Sequence, residues 1–196
     1  MSPEPKNPLL GRIRSWLGCA FFLLAAVLSG LAAWEAHSIL AVLNTAHNAL
    51  LATLYATRRP AQKTDRFGLA LGLTAALLPA FAGTNIGPIS PLWTAAGIGG
   101  EILVLWSLIS LGKRFGIAPA DRGLIDTGPY RLVRHPMYLG ELVLRLALTA
   151  GSPQALIWLP FMLSVQILRA MREERIISGY ADYTQRVRWR LVPFIY

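Results

Sequence analysis

The sequence predicts an all-α fold: a polytopic membrane helical bundle of about six transmembrane helices, with both termini in the cytoplasm. Three observations predict it. Of 196 residues, 54% are hydrophobic and only 15% charged, with mean hydropathy +0.46, which leaves too little charge to coat a soluble globule. The apolar residues gather into runs near the roughly 17 to 25 residues that cross a hydrocarbon core of about 30 Å at about 1.5 Å per residue. The basic residues gather in alternate connections between those runs.

The head from Ser2 to Pro8 reads as a disordered leader. The first span is Trp16 to Trp34, with an aromatic at each end. It is longer than the apolar core of a signal peptide and no small-x-small cleavage site follows, so a cleaved signal is not expected. Ile39 to Thr57 is the second span, Gly68 to Thr84 the third and Leu92 to Leu111 the fourth. The fifth, Met137 to Ala150, and the sixth, Ala155 to Ala170, are short. Only Gly151, Ser152 and Pro153 clearly separate them, which predicts a tight helical hairpin with Pro153 near the first turn of the returning helix.

Every Lys and Arg falls in the head, the loops between spans two and three and between four and five, or the tail from the end of span six at Arg169 onward, except Arg145. The connections near Glu35 to Ser38, Gly83 to Pro91 and Gly151 to Pro153 carry none, so the positive-inside rule puts both termini and the long loops in the cytoplasm. An even number of spans agrees. The expected location is the inner membrane of the cell, as a multi-pass protein. Topology thus accounts for the net charge of +9, no nucleic-acid motif accompanies it, and nucleic acid is not an expected partner. Cys19 is the only cysteine, so neither a disulfide nor a thiolate metal cluster can form within one chain. On span two, Asn44, His47 and Asn48 share a face; one imidazole with two amides is a weak ligand set, and an interhelical hydrogen-bond seam is expected there rather than a metal.

One domain, 1–196, suffices: about the first 111 residues are membrane scaffold, and 112–196 carry the chemistry. Polar segments Gly112 to His135 and Met171 to Tyr196 flank the short hairpin, so they emerge at one membrane face and can build one pocket. The first runs through Gly128-Pro129-Tyr130 to Arg134-His135-Pro136-Met137-Tyr138-Leu139-Gly140-Glu141. Pro136 suits the first turn of a helix, which sets His135 beside a positive helix N-terminus able to receive an anion. The second holds Arg172-Glu173-Glu174-Arg175, then Tyr180, Tyr183 and Arg186-Val187-Arg188-Trp189-Arg190-Leu191-Val192-Pro193-Phe194.

Together these strings resemble the integral-membrane methyltransferases that include isoprenylcysteine carboxyl methyltransferases and phospholipid N-methyltransferases. The resemblance covers roughly the last 80 residues and rests on Gly128, Tyr130, Arg134, His135, Pro136, Tyr138 and Gly140, with Glu173 and Glu174 after the hairpin. It departs from the common pattern in a shorter stretch between Glu174 and the tyrosines. The resemblance implies S-adenosylmethionine in a cytoplasm-facing pocket, S-adenosylhomocysteine as product, and a lipid-like or amphiphilic acceptor entering from the membrane.

Methyl transfer from a sulfonium is an in-line displacement that needs alignment and exclusion of water rather than a covalent nucleophile. On that basis Glu173 or Glu174 is expected to bind the cofactor's ammonium or ribose, and His135 with nearby backbone N–H groups its carboxylate. Tyr130 or Tyr138 would pack on adenine or face the sulfonium; Pro136 and Gly140 are also expected among the cofactor-binding residues, Gly140 by allowing close helix or cofactor approach. Arg134 and Glu174 are the expected catalytic pair, Arg134 orienting a substrate carboxylate or phosphate. On span five, Glu141 and Arg145 lie four apart and are expected to pair on one face, as a structural ion pair or a wall of the substrate pocket. A rival reading is a membrane sterol or steroid reductase using NADPH, whose His-Pro-x-Tyr-x-Gly-acid string is matched by His135 to Glu141 and whose tail resembles Arg188 to Tyr196. A small transporter or lipid-binding scaffold is a third; no Gly/Pro-broken helices paired across two halves favour it.

Overall fold

The structure is a computed structural model that describes residues 8–61, 63–81, 89–150 and 156–195. The leader before Pro8, the end of the expected third span and the turn Gly151 to Pro153 lie outside the described residues. Pro8 itself is already helical, at the start of α1.

Two long helices, α1 (Pro8–Ala36) and α2 (Ile39–Thr57), form a hairpin that turns at His37 and Ser38, with His37 in the left-handed region at φ 46. Gly18 lets α1 close on Tyr55 of α2, and Phe22 meets the same ring at 5.5 Å between centroids. The outward face of α1, with Leu17, Phe21, Leu24, Leu28 and Leu31, is exposed and apolar, as a lipid-facing surface requires. A short pairing of β1 (Lys63–Thr64) with β2 (Ala120–Asp121), antiparallel with Lys63 opposite Asp121, pins the loop before α3 (Arg66–Phe81) to the polar segment after α4 (Pro91–Leu111). Ser90 caps α4 ahead of Pro91, and Gly112 ends it at φ 50, its N–H donating to the Leu108 carbonyl. Next come α5 (Pro136–Thr149), α6 (Trp158–Ile176) and the short α7 (Tyr180–Arg186).

Among the described residues three segments are long and apolar enough to cross a membrane: Gly11–Glu35, Ile39–Thr57 and Pro91–Arg114. The other three expected spans fall short of that measure there. Helix α3 is described over 16 residues and α5 over 14, so α5 rises only about 21 Å. Helix α6 starts at Trp158, later than expected, and continues past Ala170 into Arg172, Glu173, Glu174 and Arg175.

Helices α4 and α5 approach each other backbone to backbone. A Cβ placed on Gly140 would lie 2.7 Å from the Gly100 carbonyl oxygen, and one on Gly100 would lie 2.8 Å from the Gly140 carbonyl oxygen. Both obstacles are backbone, so Gly140 serves helix approach. Gly140→Ala is expected to cost about 1–3 kcal/mol through overpacking and to lower the melting temperature in detergent; an unchanged melting temperature would mean that α4 and α5 can part without loss.

The expected seam on α2 exists, with a partner the sequence did not suggest. His47 Nδ1 lies 2.8 Å from Glu101 Oε1 of α4, a carboxylate 1% exposed, whereas Asn48 donates only to the Asn44 carbonyl of its own helix. The expected pairing of Glu141 with Arg145 is corrected: no ion pair joins them, and Glu141 instead accepts from the Gln166 amide of α6. An i,i+4 pair on an isolated helix is worth only about 0.2–0.5 kcal/mol, so a cross-helix hydrogen bond inside the bundle displaces it. Gln166 in turn accepts from Arg169 at 3.0 Å.

Candidate active site

The end of α4, the start of α5 and the end of α6 meet at one end of the bundle, and the chain's polar segments fold over that meeting point. Pro136 occupies the first turn of α5 and His135 its N-cap position, as the sequence predicts. The tail runs beside this junction: the Arg134 N–H donates to the Trp189 carbonyl and the His135 N–H to the Arg190 carbonyl, each at 2.9 Å. The strand-like contact explains why the tail's Arg188-Trp189-Arg190 string belongs to the site.

His135 is buried and stands between the two acids of α6. Its Nε2 is 3.1 Å from Glu174 Oε1 and 3.0 Å from the Tyr180 hydroxyl, and its Nδ1 is 3.7 Å from Glu173 Oε2. Tyr138 stacks on the imidazole, 5.4 Å between centroids with planes 3° apart, and donates its hydroxyl to Glu173 Oε1 at 2.5 Å. Arg169 lies over the other part of this arrangement, 4.7 Å from the Tyr138 ring. Tyr183 donates to the Tyr130 carbonyl at 2.6 Å and packs edge-on to Tyr180, which fixes α7 against the turn Gly128–Arg131.

The two glutamates have different surroundings. Glu174 is gripped by Arg190, whose Nε and Nη2 donate to Oε1 and Oε2 at 2.8 Å each, and by Arg134 Nη1 at 3.3 Å. Burial alone would raise its pKa, but the hydrogen bonds from His135 and Arg190 and the neighbouring charge of Arg134 outweigh burial and hold it at about 2. Glu174 is therefore ionised, and the Nε2 facing it must carry a proton for the contact to be favourable; the Tyr180 oxygen then shares that same N–H. Glu173, by contrast, opens onto a cavity of about 710 Å³, mouth included, that Tyr130, Arg134, His135, Tyr138, Tyr180 and Tyr183 also line. It is the one acid among the described lining residues. Burial pushes the Tyr130, Tyr180 and Tyr183 hydroxyls upward in pKa, with nearby glutamates adding to the effect on Tyr130 and Tyr180, so they remain neutral donors and aromatic walls.

Of the residues singled out from the sequence, Tyr130, Arg134, His135, Tyr138 and Glu173 line this cavity, whereas Pro136, Gly140, Glu141, Arg145 and Glu174 do not. Asp121 was not singled out and is fully buried; its Oδ2 accepts from the Ser178 N–H at 3.1 Å and hydroxyl at 2.6 Å, tying β2 to the turn before α7. Nothing in the local pattern of Ala120-Asp121-Arg122 marks that role. Tyr180, Tyr183 and Arg190 stood in strings the sequence did highlight, and their place at the site follows from the tail folding back.

The pocket combines one carboxylate, aromatic faces and the side chains of Arg114, Arg122 and Arg134. Arg134 Nε is buried and has no hydrogen-bond partner among the described residues, while the residue itself lines the cavity. No group of three or more metal-ligating side chains is found among the described residues.

Residues 93–181 match the family model of phospholipid methyltransferases. The match takes in α4, α5, α6, both glutamates and the Arg134-His135-Pro136 string, and stops short of Tyr183 and Arg190. No solved structure matches the chain.

Proposed function

Starting from that family match, which supports a membrane methyltransferase acting on phospholipid-type substrates, we propose that the protein transfers the methyl group of S-adenosylmethionine to a lipid-like acceptor at the cytoplasmic face of the membrane. The observation that carries this reading is the convergence of Tyr130, Arg134, His135, Tyr138 and Glu173 on one cavity at the end of the bundle.

The bound cofactor supplies a methyl group on a sulfonium, which the acceptor's lone pair takes by in-line displacement. The chain's residues hold and align. Glu173 is the anion for the cofactor's ammonium or ribose hydroxyls, kept in place by the Tyr138 hydroxyl. Arg134, a cation on the cavity wall, is the group for a carboxylate, while His135 and Glu174 brace the junction beside it. Tyr130 and Tyr180 supply apolar faces that exclude water. For an amine acceptor a carboxylate must also take up the released proton. Glu174 acts through others: bound by two arginines and His135, it is a positioning residue. We place both termini and the pocket in the cytoplasm, with six crossings, on the charge asymmetry of the loops.

The test is titration of the detergent-purified protein with S-adenosylhomocysteine and, separately, with NADPH. Saturable binding of the first and none of the second is expected; NADPH binding alone would transfer the protein to the reductase reading, which shares the His135 to Glu141 string.

A further inference from the structure

We propose that Arg114 and Arg122 form a subsite for the phosphodiester of the lipid acceptor at the rim of the same cavity. The inference rests on the methyltransferase reading of that cavity and names what the acceptor must carry. Both arginines line the cavity, yet they come from different elements. Arg114 ends the membrane-crossing segment Pro91–Arg114, at the depth where a span leaves the hydrocarbon and meets headgroups. Arg122 follows β2, and its Nε is fixed by donation to the Arg59 carbonyl at 3.1 Å.

Two glycines make room for these side chains. A Cβ on Gly116 would lie 2.7 Å from Arg122 Nη1, and one on Gly123, at φ 95, would lie 3.3 Å from Arg114 Nε. The guanidinium groups thus lie against the loop that forms one wall of the cavity. Neither is in an ion pair among the described residues, and Arg114 Nε is buried with no hydrogen-bond partner. Burial, then the neighbouring charge of Arg58, lowers the pKa of Arg122 to about 10, so it stays a cation at neutral pH, and the cavity it shares with Arg114 and Arg134 has Glu173 as its one acid among the described lining residues. A phosphodiester is a fixed monoanion whose two free oxygens match the N–H fork of a guanidinium. Glu173 lines the same cavity, so an acceptor held there by its phosphate shares that cavity with the acid.

A free phosphate and the cofactor's own carboxylate are anions of the same kind, and the experiment separates these sources. The full-length protein in detergent is titrated calorimetrically with dihexanoyl phosphatidylethanolamine, dihexanoylglycerol, inorganic phosphate and S-adenosylhomocysteine. It is compared with Arg114→Gln/Arg122→Gln and with the milder Arg122→Lys, each first checked by thermal melting. The expected result is that wild type binds the phospholipid at least tenfold tighter than dihexanoylglycerol or inorganic phosphate. The double variant loses that preference, Arg122→Lys loses part of it, and S-adenosylhomocysteine affinity stays within about twofold throughout. Wild type without a preference for the phospholipid, or variants that retain it, would overturn the subsite. Inorganic phosphate binding as tightly as the lipid would make it a free-anion site, and a parallel loss of S-adenosylhomocysteine would give the arginines to the cofactor; either result also overturns it. The lipid titrations need no cofactor, so absence of S-adenosylhomocysteine binding to wild type counts against the methyltransferase reading and leaves the phosphate result to be read by itself.

Discussion

Glu173→Gln is expected to weaken S-adenosylhomocysteine binding by about 10- to 100-fold and to reduce methyl transfer strongly, with little change in melting temperature. Glu173 is the one acid among the described residues lining the cavity, so no neighbouring carboxylate can substitute for it. A hydrogen bond to a charged group is worth about 1.5–3 kcal/mol, and each 1.4 kcal/mol is about a factor of ten in affinity. The glutamine oxygen can still accept from the Tyr138 hydroxyl, so the fold keeps that contact. Calorimetry on the variant checks the affinity and differential scanning the stability. Unchanged affinity would take Glu173 out of the cofactor site.

Glu174→Ala is expected to act the other way, lowering stability first and activity as a consequence. Glu174 ties α6 to Arg190 of the tail and to Arg134 before α5, in a mostly buried cluster whose members are 14%, 22% and 13% exposed at the side chain. Removing one partner of such a cluster leaves two arginines uncompensated and costs about 3–5 kcal/mol, which for a chain of this size is a drop on the order of 10 °C in melting temperature. The pH dependence has a definite sign. Its pKa is held at about 2, below the ordinary 4.5, so the stabilisation is complete above pH 4.5 and is lost as pH falls from there towards 2. Melting temperatures of wild type should therefore decline across that window more steeply than those of Glu174→Gln. Equal slopes would show that the carboxylate does not hold the tail.

Much of the scaffold was legible in the sequence because it rests on length and polarity. The second span was read as Ile39 to Thr57 and is helical over those residues, since Ser38 and Arg58 bound a mostly apolar run free of Gly, Pro, Asp, Glu, Lys and Arg. The fourth and fifth begin one residue earlier than read, in each case at a proline that suits a first turn, Pro91 and Pro136. Tertiary choices were not legible. Glu173 and Glu174 are neighbours about 100° apart around α6, so composition does not say which one faces a cavity that only the folded tail and α5 create. The pairing of His47 with Glu101 and of Glu141 with Gln166 joins residues on separate helices, and no local period encodes either. Local spacing instead suggested Glu141 with Arg145, the weaker of the two options inside a bundle.

The central claim is that this membrane bundle moves a methyl group from S-adenosylmethionine to a phospholipid-type acceptor. The most direct measurement is transfer of labelled methyl from S-adenosylmethionine to vesicles of phosphatidylethanolamine in which the purified protein is reconstituted, with Glu173→Gln as the paired control. Label in the lipid fraction that requires Glu173 is the predicted result. A reconstituted wild type that binds S-adenosylhomocysteine yet leaves the lipid unlabelled would contradict the phospholipid acceptor, and label independent of Glu173 would contradict the site.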